Sequence, residues 1–194
     1  MRLGREKALE LVRNQRLIDR VVISLKKVCQ NIFVVTSQEQ IDKIIFNQSD
    51  EIKTVIDLYP GKSALGGIYT GLYYSNNFLN FIVACDMPFL NHNLLKYMIE
   101  VVPGFDAVVP KIDKMVEPLH ALYSRNCLDT IKTLIDNDDL TVSNILQKIK
   151  TKYVKKEEII RFDPELLSFF NINTRDDLLK AEGLIINAEG KITR

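Results

Sequence analysis

Short apolar runs alternate with amphipathic stretches along the chain, and this alternation predicts the order of its strands and helices. The apolar runs are brief and bounded by turn residues, which is typical of strands buried inside a sheet. The predicted strands cover residues 32–36, 53–56, 81–85, 107–110, 117–123 and 152–156. Apolar residues at helical spacing predict a surface helix over residues 17–28, with charged residues on its other face, and a weaker helix over residues 40–46.

Helical patterns also follow the later strands, at residues 126–135 and 142–150 and after Thr174. Strands that alternate with helices indicate an α/β fold, with a doubly wound, mostly parallel sheet and helices on both faces. A chain of 194 residues is expected to form one domain, over residues 1–194.

The apolar run at residues 81–85 leads directly into Asp86, and Pro88 follows two positions later. Pro88 has no backbone N–H for a sheet ladder, so the strand should end near Asp86. This places a carboxylate at the carboxyl end of a central strand, where open α/β sheets bind their ligands. An isolated aspartate often only caps a loop, but the apolar lead-in and the proline favour a Mg2+ ligand that faces a phosphate.

Two other predicted strands end in polar residues, Thr36 and Asp57. Because the carboxyl ends of such strands share one crevice, the pattern predicts a site for a nucleotide with its metal. The Gly-Lys-Ser sequence at residues 61–63 lacks the upstream glycine of a Walker A loop, so that motif is rejected. Gly67 and Gly71 fall on one face of a predicted helix, which lets the helix approach the sheet or a ligand closely.

Two parts of the sequence carry side chains that could bind a phosphate group. Arg2, Arg5 and Lys7 surround Gly4, which gives cations on a flexible backbone, although a frayed basic terminus has the same composition. His120 could act as an acid, a base or a phosphate donor, although a histidine among apolar neighbours more often has a structural role.

Polar residues also cluster ahead of the last predicted helix. Thr174 and Asp177 approximate a capping box, with Asp in place of Glu or Gln. Asn171 and Asn173 point to the same side if this stretch is extended.

The composition bears on which partners and which cellular compartment are expected for this protein. Apolar residues make up 46% of the chain, charged residues 26%, and the net charge is +1, so a nucleic-acid partner is not expected. Cys29, Cys85 and Cys127 are widely spaced among apolar neighbours and predict free thiols of a reducing cytoplasm. No apolar run is long enough to span a membrane, so we expect a cytoplasmic protein with no membrane partner.

Five short motifs occur in an order that resembles the molybdenum cofactor guanylyltransferase family, nucleotidyltransferases with a glycosyltransferase-A-like fold. Each motif is weak alone, and the ordered set spans nearly the whole chain. The motifs are Arg2-Leu3-Gly4-Arg5-Glu6-Lys7-Ala8, Tyr59-Pro60-Gly61 through Leu65-Gly66-Gly67-Ile68, Ala84-Cys85-Asp86-Met87-Pro88-Phe89, Glu117-Pro118-Leu119-His120-Ala121-Leu122-Tyr123 and Asn171-Ile172-Asn173-Thr174.

The resemblance implies transfer of GMP from GTP with Mg2+ to the terminal phosphate of molybdopterin, the organic part of the molybdenum cofactor, with release of pyrophosphate. It implies Lys7 and Asp86 as catalytic residues, with Lys7 on phosphate and Asp86 on Mg2+. The residues placed in the nucleotide and cofactor site are Lys7, Thr36, Asp57, Gly66, Gly67, Asp86, His120, Asn171 and Asn173. A weak homo-oligomer or a cofactor-handling protein is a further expected partner.

Departures from the family pattern keep two alternatives open. The family begins with a strand that runs into a Leu-Ala-Gly-Gly-x-Ser-x-Arg loop, whose backbone amides wrap the triphosphate, and that strand lies between those predicted at residues 32–36 and 81–85. The printed sequence begins after this loop; Arg175 replaces a usual proline, and Thr36 a common asparagine. The alternatives are a non-catalytic relative that binds the cofactor or a partner, and a nucleotidyltransferase that uses CTP.

The same departure leads to an expectation about stability. Without a strand between them, the two neighbouring strands would leave backbone groups unpaired along buried edges. We therefore expect the 194-residue chain to be poorly stable and unable to transfer GMP. Restoring roughly fifteen to twenty residues that end in a Gly-Gly loop is expected to recover both properties.

Overall fold

The computed structural model describes residues 7–46 and 51–192 of the chain. The strands are β1 (Leu11–Val12), β2 (Gln15–Arg16), β3 (Ile32–Thr36), β4 (Ile52–Ile56), β5 (Leu79–Val83), β6 (Ala107–Ile112), β7 (Met115–Val116), β8 (His120–Ser124) and β9 (Thr151–Lys155). The α-helices are α1 (Leu17–Leu25), α2 (Ser63–Tyr74), α3 (His92–Glu100), α4 (Cys127–Asp136), α5 (Val142–Leu146), α6 (Lys156–Ile159) and α7 (Arg175–Ile192). Short 3-10 turns lie at Lys7–Leu9 and Leu167–Phe169.

β3 and β4 form a parallel pair, in which Ile32 lies opposite Ile52 and Thr36 opposite Ile56. The β-branched residues of both strands favour this extended conformation. Helix α1, predicted from its apolar spacing, covers the pair: Ile18 and Val22 on α1 share a core cluster with Ile32.

The larger sheet has the order β5-β8-β6-β7, and β9 pairs with β6 in parallel. The α/β class is confirmed, but the sheet is mixed where a mostly parallel one was expected. β8 runs antiparallel to both β5 and β6. The cause is the short connection from β6 to β8, residues 113–119, because a parallel return needs a crossover of about a dozen residues or more.

Helices cover both faces of the larger sheet, as predicted. Ala121 and Tyr123 of β8 face a core cluster that includes Leu65 of α2 and Ile131 of α4. The intervening Leu122 faces the opposite cluster, which α3 supplies with the buried side chains of Leu94, Leu95 and Met98. All five residues of β8 are buried, so this strand is the centre of the core.

A cavity of about 620 Å³ separates β3 from β5. Among residues 7–46 and 51–192, β3 pairs only with β4, and β5 pairs only with β8 and its neighbouring loop. The expected gap between these two strands is therefore present. β5 is also less buried than its apolar run predicts. None of its five residues is fully buried, although four of the five side chains are apolar.

None of the helices in the described part of the chain is long and apolar enough to cross a membrane.

Candidate nucleotide and phosphate site

Three predicted site residues meet although they are far apart in the sequence. The Nζ atom of Lys7 forms an ion pair with Oδ2 of Asp86. The same Nζ atom donates to Oδ1 of Asn173 at 2.5 Å. The side chains of Lys7 and Asp86 are only 19% and 16% exposed, so water screens this pair less than it screens a surface ion pair. We call Lys7, Asp86 and Asn173 the Lys7 cluster.

The turn after β5 positions Asp86. Ala84 donates its backbone N–H to the carbonyl of Leu119, and this hydrogen bond holds the chain beside β8 just beyond the strand. The carbonyl of Asp86 then accepts from the N–H of Ile172 at 3.0 Å. Because Ile172 is completely buried, this bond fastens the Asn-Ile-Asn segment against the Asp86 turn.

The start of α7 positions Asn173. Asp177 accepts from the backbone N–H groups of Asn173 and Thr174 and from the Thr174 hydroxyl, and the Asp177 N–H donates back to that hydroxyl. The predicted capping box is thus confirmed, with Asp in the role of Glu. The hydrogen bond from the Thr174 hydroxyl is the main cause that lowers the pKa of Asp177.

The second carboxylate oxygen of Asp86 remains available. Oδ1 is buried and has no hydrogen-bond partner in the described part of the chain. A buried carboxylate oxygen without a partner is costly, and a hard cation such as Mg2+ would satisfy it. Within residues 7–46 and 51–192, the His, Cys, Asp and Glu side chains form no group of three or more that could hold a metal ion. The residues present therefore fit a Mg2+ ion that is bound through one carboxylate and completed by water and substrate phosphates.

A second group of predicted residues lies at the carboxyl ends of β3 and β4. The N–H of Asp57 donates to the carbonyl of Thr36 at 2.8 Å. The Thr36 hydroxyl oxygen is buried and has no hydrogen-bond partner among the described residues, so it is available to a ligand. By contrast, Oδ1 of Asp57 already accepts from Tyr59 N–H at 3.0 Å and from the Thr70 hydroxyl at 2.8 Å.

Gly66 also belongs to this second group, and its position has room only for a glycine. A Cβ atom at Gly66 would lie 2.7 Å from the carbonyl oxygen of Tyr59 and 3.3 Å from Oδ2 of Asp57. Gly67 differs: a Cβ atom there would meet nothing within 4 Å, and the residue lines the β3–β5 cavity.

His120 lies inside the core and has no polar partner. It is fully buried, and neither ring nitrogen has a hydrogen bond within the described residues. Burial lowers its pKa to about 4, so the ring is neutral near pH 7. Its ring centroid lies 4.9 Å from that of Phe169. A neutral ring packed in this way has no positive charge to offer a phosphate.

Asn171 and Cys85 flank the Lys7 cluster in the sequence. The Asn171 side chain donates to the carbonyl of Phe169 at 3.3 Å, so its partner differs from that of Asn173. Burial raises the pKa of the Cys85 thiol to about 11, with a further contribution from Asp86, so this thiol stays protonated near pH 7.

Thr70 connects the residues of the second group, and no sequence pattern singles it out. Its hydroxyl contacts Asp57, the Gly66 carbonyl and the Leu58 N–H. Thr70 lies on α2 one turn after Gly66, inside an apolar helix where a threonine attracts no notice.

Comparison with known proteins agrees with this architecture. Residues 1–153 match the family model of the MobA-like NTP transferase domain. A molybdenum cofactor guanylyltransferase from Desulfosudis oleivorans is 32% identical over 183 residues, which cover 94% of this chain and 88% of that protein.

Solved structures extend the comparison to three dimensions. Molybdopterin-guanine dinucleotide biosynthesis protein A from Archaeoglobus fulgidus superposes with a TM-score of 0.81 at 29% identity, over 95% of this chain and 92% of that one. A Mycobacterium tuberculosis protein solved in complex with manganese has a TM-score of 0.65 at 13% identity, over 93% of each chain, and shares the fold. The family expected from the ordered motifs is confirmed: the chain belongs to the MobA-like NTP transferase family, a family of nucleotidyltransferases.

Proposed function

We propose that this protein transfers GMP from GTP, with Mg2+, to the terminal phosphate of molybdopterin and releases pyrophosphate. The observation that carries the proposal is the Lys7 cluster, where a cation and a carboxylate with one unpaired buried oxygen lie together. The Desulfosudis relative, named for this activity and matched over 94% of the chain, supports the choice of substrates.

In the proposed reaction, an oxygen of the molybdopterin phosphate bonds to the α-phosphorus of GTP. The bond from that phosphorus to the bridging oxygen breaks, and its electron pair leaves with pyrophosphate. The attacking phosphate is already an anion at neutral pH, so the step needs no strong general base. The protein is therefore required mainly to position the groups and to neutralise negative charge.

Lys7 supplies the cation in this scheme. Without substrate its charge is balanced by Asp86, and a triphosphate would compete for the same Nζ atom. Asn173 accepts from Nζ and limits the directions in which the ammonium group can turn. Lys7 would thus be held near the leaving pyrophosphate, where it stabilises the charge that develops.

Asp86 is the residue that would hold Mg2+, through Oδ1. When bound, the ion withdraws charge from the α-phosphate oxygens. Thr36, with its unpaired hydroxyl, is the proposed contact to the nucleoside, and the Asn-Ile-Asn segment the proposed contact to the acceptor. Asp57, whose Oδ1 is already engaged, would contribute mainly by fixing the loop before α2.

Thermal denaturation in the presence of nucleotides tests the choice of GTP. A ligand that binds only the folded protein raises its melting temperature. We expect GTP with Mg2+ to raise the melting temperature of the chain, with a smaller effect from CTP and a smaller effect from GTP with EDTA. A larger shift with CTP would assign the protein to cytidylyl transfer instead.

Binding without turnover is the second candidate function. The unpaired edges of β3 and β5 favour it, because a triphosphate site beside an open cavity is less well ordered. This candidate predicts that MgGTP stabilises the fold while no pyrophosphate is released in any form of the protein. Release of pyrophosphate that depends on molybdopterin would exclude it.

A further inference from the structure

The hydroxyl of Thr70 joins helix α2 to the loop that follows β4. Thr70 lies one turn after Gly66 on α2, and its side chain is completely buried. The hydroxyl oxygen accepts from the N–H of Leu58 at 3.0 Å. It also lies 2.8 Å from Oδ1 of Asp57 and 2.9 Å from the carbonyl oxygen of Gly66. One buried side chain thus contacts both the loop and the helix.

The single proton of this hydroxyl is best used on Asp57. The Gly66 carbonyl is the ordinary helical acceptor for the backbone N–H of Thr70, four residues later, so it does not depend on the hydroxyl. Oδ1 of Asp57 belongs to a carboxylate, and hydrogen bonds to an ionised acceptor are stronger than neutral ones. The hydroxyl therefore donates to Oδ1 while it accepts from the Leu58 N–H.

This hydrogen bond gives the two carboxylate oxygens of Asp57 different roles. Oδ1 accepts from the Thr70 hydroxyl and from the Tyr59 N–H. The backbone is held as well, since the Asp57 N–H donates to the Thr36 carbonyl at 2.8 Å. Oδ2 accepts no hydrogen bond within residues 7–46 and 51–192, and it lies beside Gly66. One oxygen is therefore used within the protein and the other remains for a ligand.

Asp57 lies in the part of the fold where the nucleotide is proposed to bind. Thr36 and Asp57 stand at the carboxyl ends of two adjacent parallel strands, the edge at which α/β sheets bind ligands. The Thr36 hydroxyl also lacks a partner among the described residues. A nucleoside carries O–H groups on its ribose and N–H groups on its base, and a carboxylate oxygen accepts from either.

We propose that Thr70 is a positioning residue of the nucleotide site: its hydroxyl holds the Asp57 carboxylate so that Oδ2 accepts a hydrogen bond from the nucleoside. Thr70 itself touches no substrate, because its side chain is completely buried. The proposal rests on the proposed nucleotide site and concerns nucleotide binding, not the transfer step. A purely structural hydroxyl would stabilise the loop without changing how tightly the folded protein binds a nucleotide.

Two substitutions separate the hydroxyl from the shape of the side chain. Thr70→Val keeps the shape and removes the hydroxyl, whereas Thr70→Ser keeps the hydroxyl. Thr151→Val is the matched control, because the Thr151 hydroxyl also donates to a carbonyl, that of Leu146 at 2.9 Å. Thr151 lies on β9, which pairs with β6 and with neither β3 nor β4. Urea unfolding of each full-length variant identifies the conditions under which it is folded.

Isothermal titration calorimetry with Mg2+ and without molybdopterin measures nucleotide binding alone. GTP should bind about tenfold more weakly to Thr70→Val than to the wild-type protein, and within about twofold of wild type to Thr70→Ser and Thr151→Val. Inorganic tripolyphosphate has no nucleoside, so it should bind the wild-type protein and Thr70→Val equally.

A double-mutant cycle tests whether Thr70 acts through Asp57. Thr70→Val should have no further effect on the affinity for GTP in an Asp57→Ala background, because the carboxylate that Thr70 positions is then absent. Comparison of GTP with CTP identifies the donor, since the two share the ribose and differ in the base. An equal loss for both assigns the Oδ2 contact to the ribose, and a loss for GTP alone assigns it to the base.

Three results would overturn the proposal while leaving the nucleotide site in place. Wild-type affinity for GTP in Thr70→Val would leave Thr70 with a structural role only. An equal loss of affinity for tripolyphosphate would indicate a general loosening of the site. An undiminished effect of Thr70→Val in the Asp57→Ala background would show that Thr70 does not act through that carboxylate.

The same titrations distinguish this proposal from the proposed function. Failure of the wild-type protein to bind GTP would overturn both. Failure to transfer GMP, in a protein whose GTP affinity responds to Thr70→Val as described, would overturn the transfer reaction alone.

Discussion

Lys7 and Asp86 are 79 positions apart in the sequence and form a partly buried ion pair. The pair joins the first described turn of the chain to the loop after β5, and Asn173 ties both to the start of α7. Three segments that are remote in the sequence thus meet at one charge pair. This pair is the structural basis of the proposed phosphate chemistry.

The first prediction concerns the carboxylate. Asp86→Asn should remove the Mg2+ dependence of nucleotide binding and of turnover, because the amide keeps the shape but loses the charge. The fold should remain, since the amide oxygen can still accept from Lys7. Melting curves with GTP, at increasing Mg2+, provide the measurement.

The matched control is Asp129→Asn, which changes an exposed carboxylate on α4. It should keep the wild-type response to Mg2+. A normal Mg2+ response in Asp86→Asn would rule out Asp86 as the metal ligand.

The second prediction concerns the cation. Lys7→Ala should weaken GTP binding and lower stability by about 1 kcal/mol or more, because it leaves a partly buried carboxylate without its partner. Lys62→Ala is the comparison, since Lys62 pairs with Asp138 at 2.7 Å but both side chains are largely solvent-accessible, at 38% and 75%. That exposed pair should contribute about 0–1 kcal/mol.

Urea unfolding measures the stability of both lysine variants, and GTP titration measures their affinity for GTP. Wild-type affinity and stability in Lys7→Ala would mean that the residue contributes to neither the site nor the fold.

The third prediction separates two adjacent glycines. Gly66→Ala should destabilise the protein by about 1–3 kcal/mol, because its Cβ would overlap the Tyr59 carbonyl. Gly67→Ala should be neutral or stabilising by up to about 1 kcal/mol, because its Cβ has open space in a helix interior. Equal urea midpoints for the two variants would show that the loop before α2 is not as close to Gly66 as described.

The sequence predicts several of these elements well and others poorly, for physical reasons. Local patterning is enough for α1 and β3: an amphipathic stretch gave the start of α1, and a β-branched run gave the bounds of β3. Residues 40–46 do not form the weak helix that their pattern predicts: residues 40–43 form a turn and residues 44–46 are irregular, because Ile44 alone among them is buried and little packing stabilises a helix there. β1 and β2, of two residues each, are too short to produce a pattern.

The candidate site depends on contacts that no local pattern encodes. The ordered motifs selected Lys7, Asp86 and Asn173 together, but nothing in their spacing places Asn173 against Lys7. The antiparallel insertion of β8 also escaped prediction, since a buried strand has the same apolar composition in either direction. His120 is buried, and its ring nitrogens have no hydrogen-bond partner among the described residues. These observations agree better with a structural role than with phosphate binding.

The fourth prediction follows from that histidine. The unfolded chain takes up a proton on His120 near pH 6.5, whereas in the folded protein burial lowers its pKa to about 4. The unfolded state therefore binds more protons between these values, and the free energy of unfolding should decrease as the pH falls from 6.5 towards 4. This contribution is at most about 3 kcal/mol.

Comparison with His120→Phe isolates the effect from that of the carboxylates. The phenylalanine variant should lose part of the acid sensitivity in urea unfolding, whereas His92→Gln should lose less of it. Identical pH profiles for wild type and His120→Phe would show that His120 is not buried in its neutral form.

The most direct test of the central claim follows the α-phosphate of GTP. GTP labelled at that position is incubated with molybdopterin and Mg2+, using the wild-type chain and its Asp86→Asn variant. The account predicts that label moves to molybdopterin with the wild-type chain and not with Asp86→Asn. Equal transfer by Asp86→Asn, or label that stays on GTP in every form while MgGTP still binds, would contradict it.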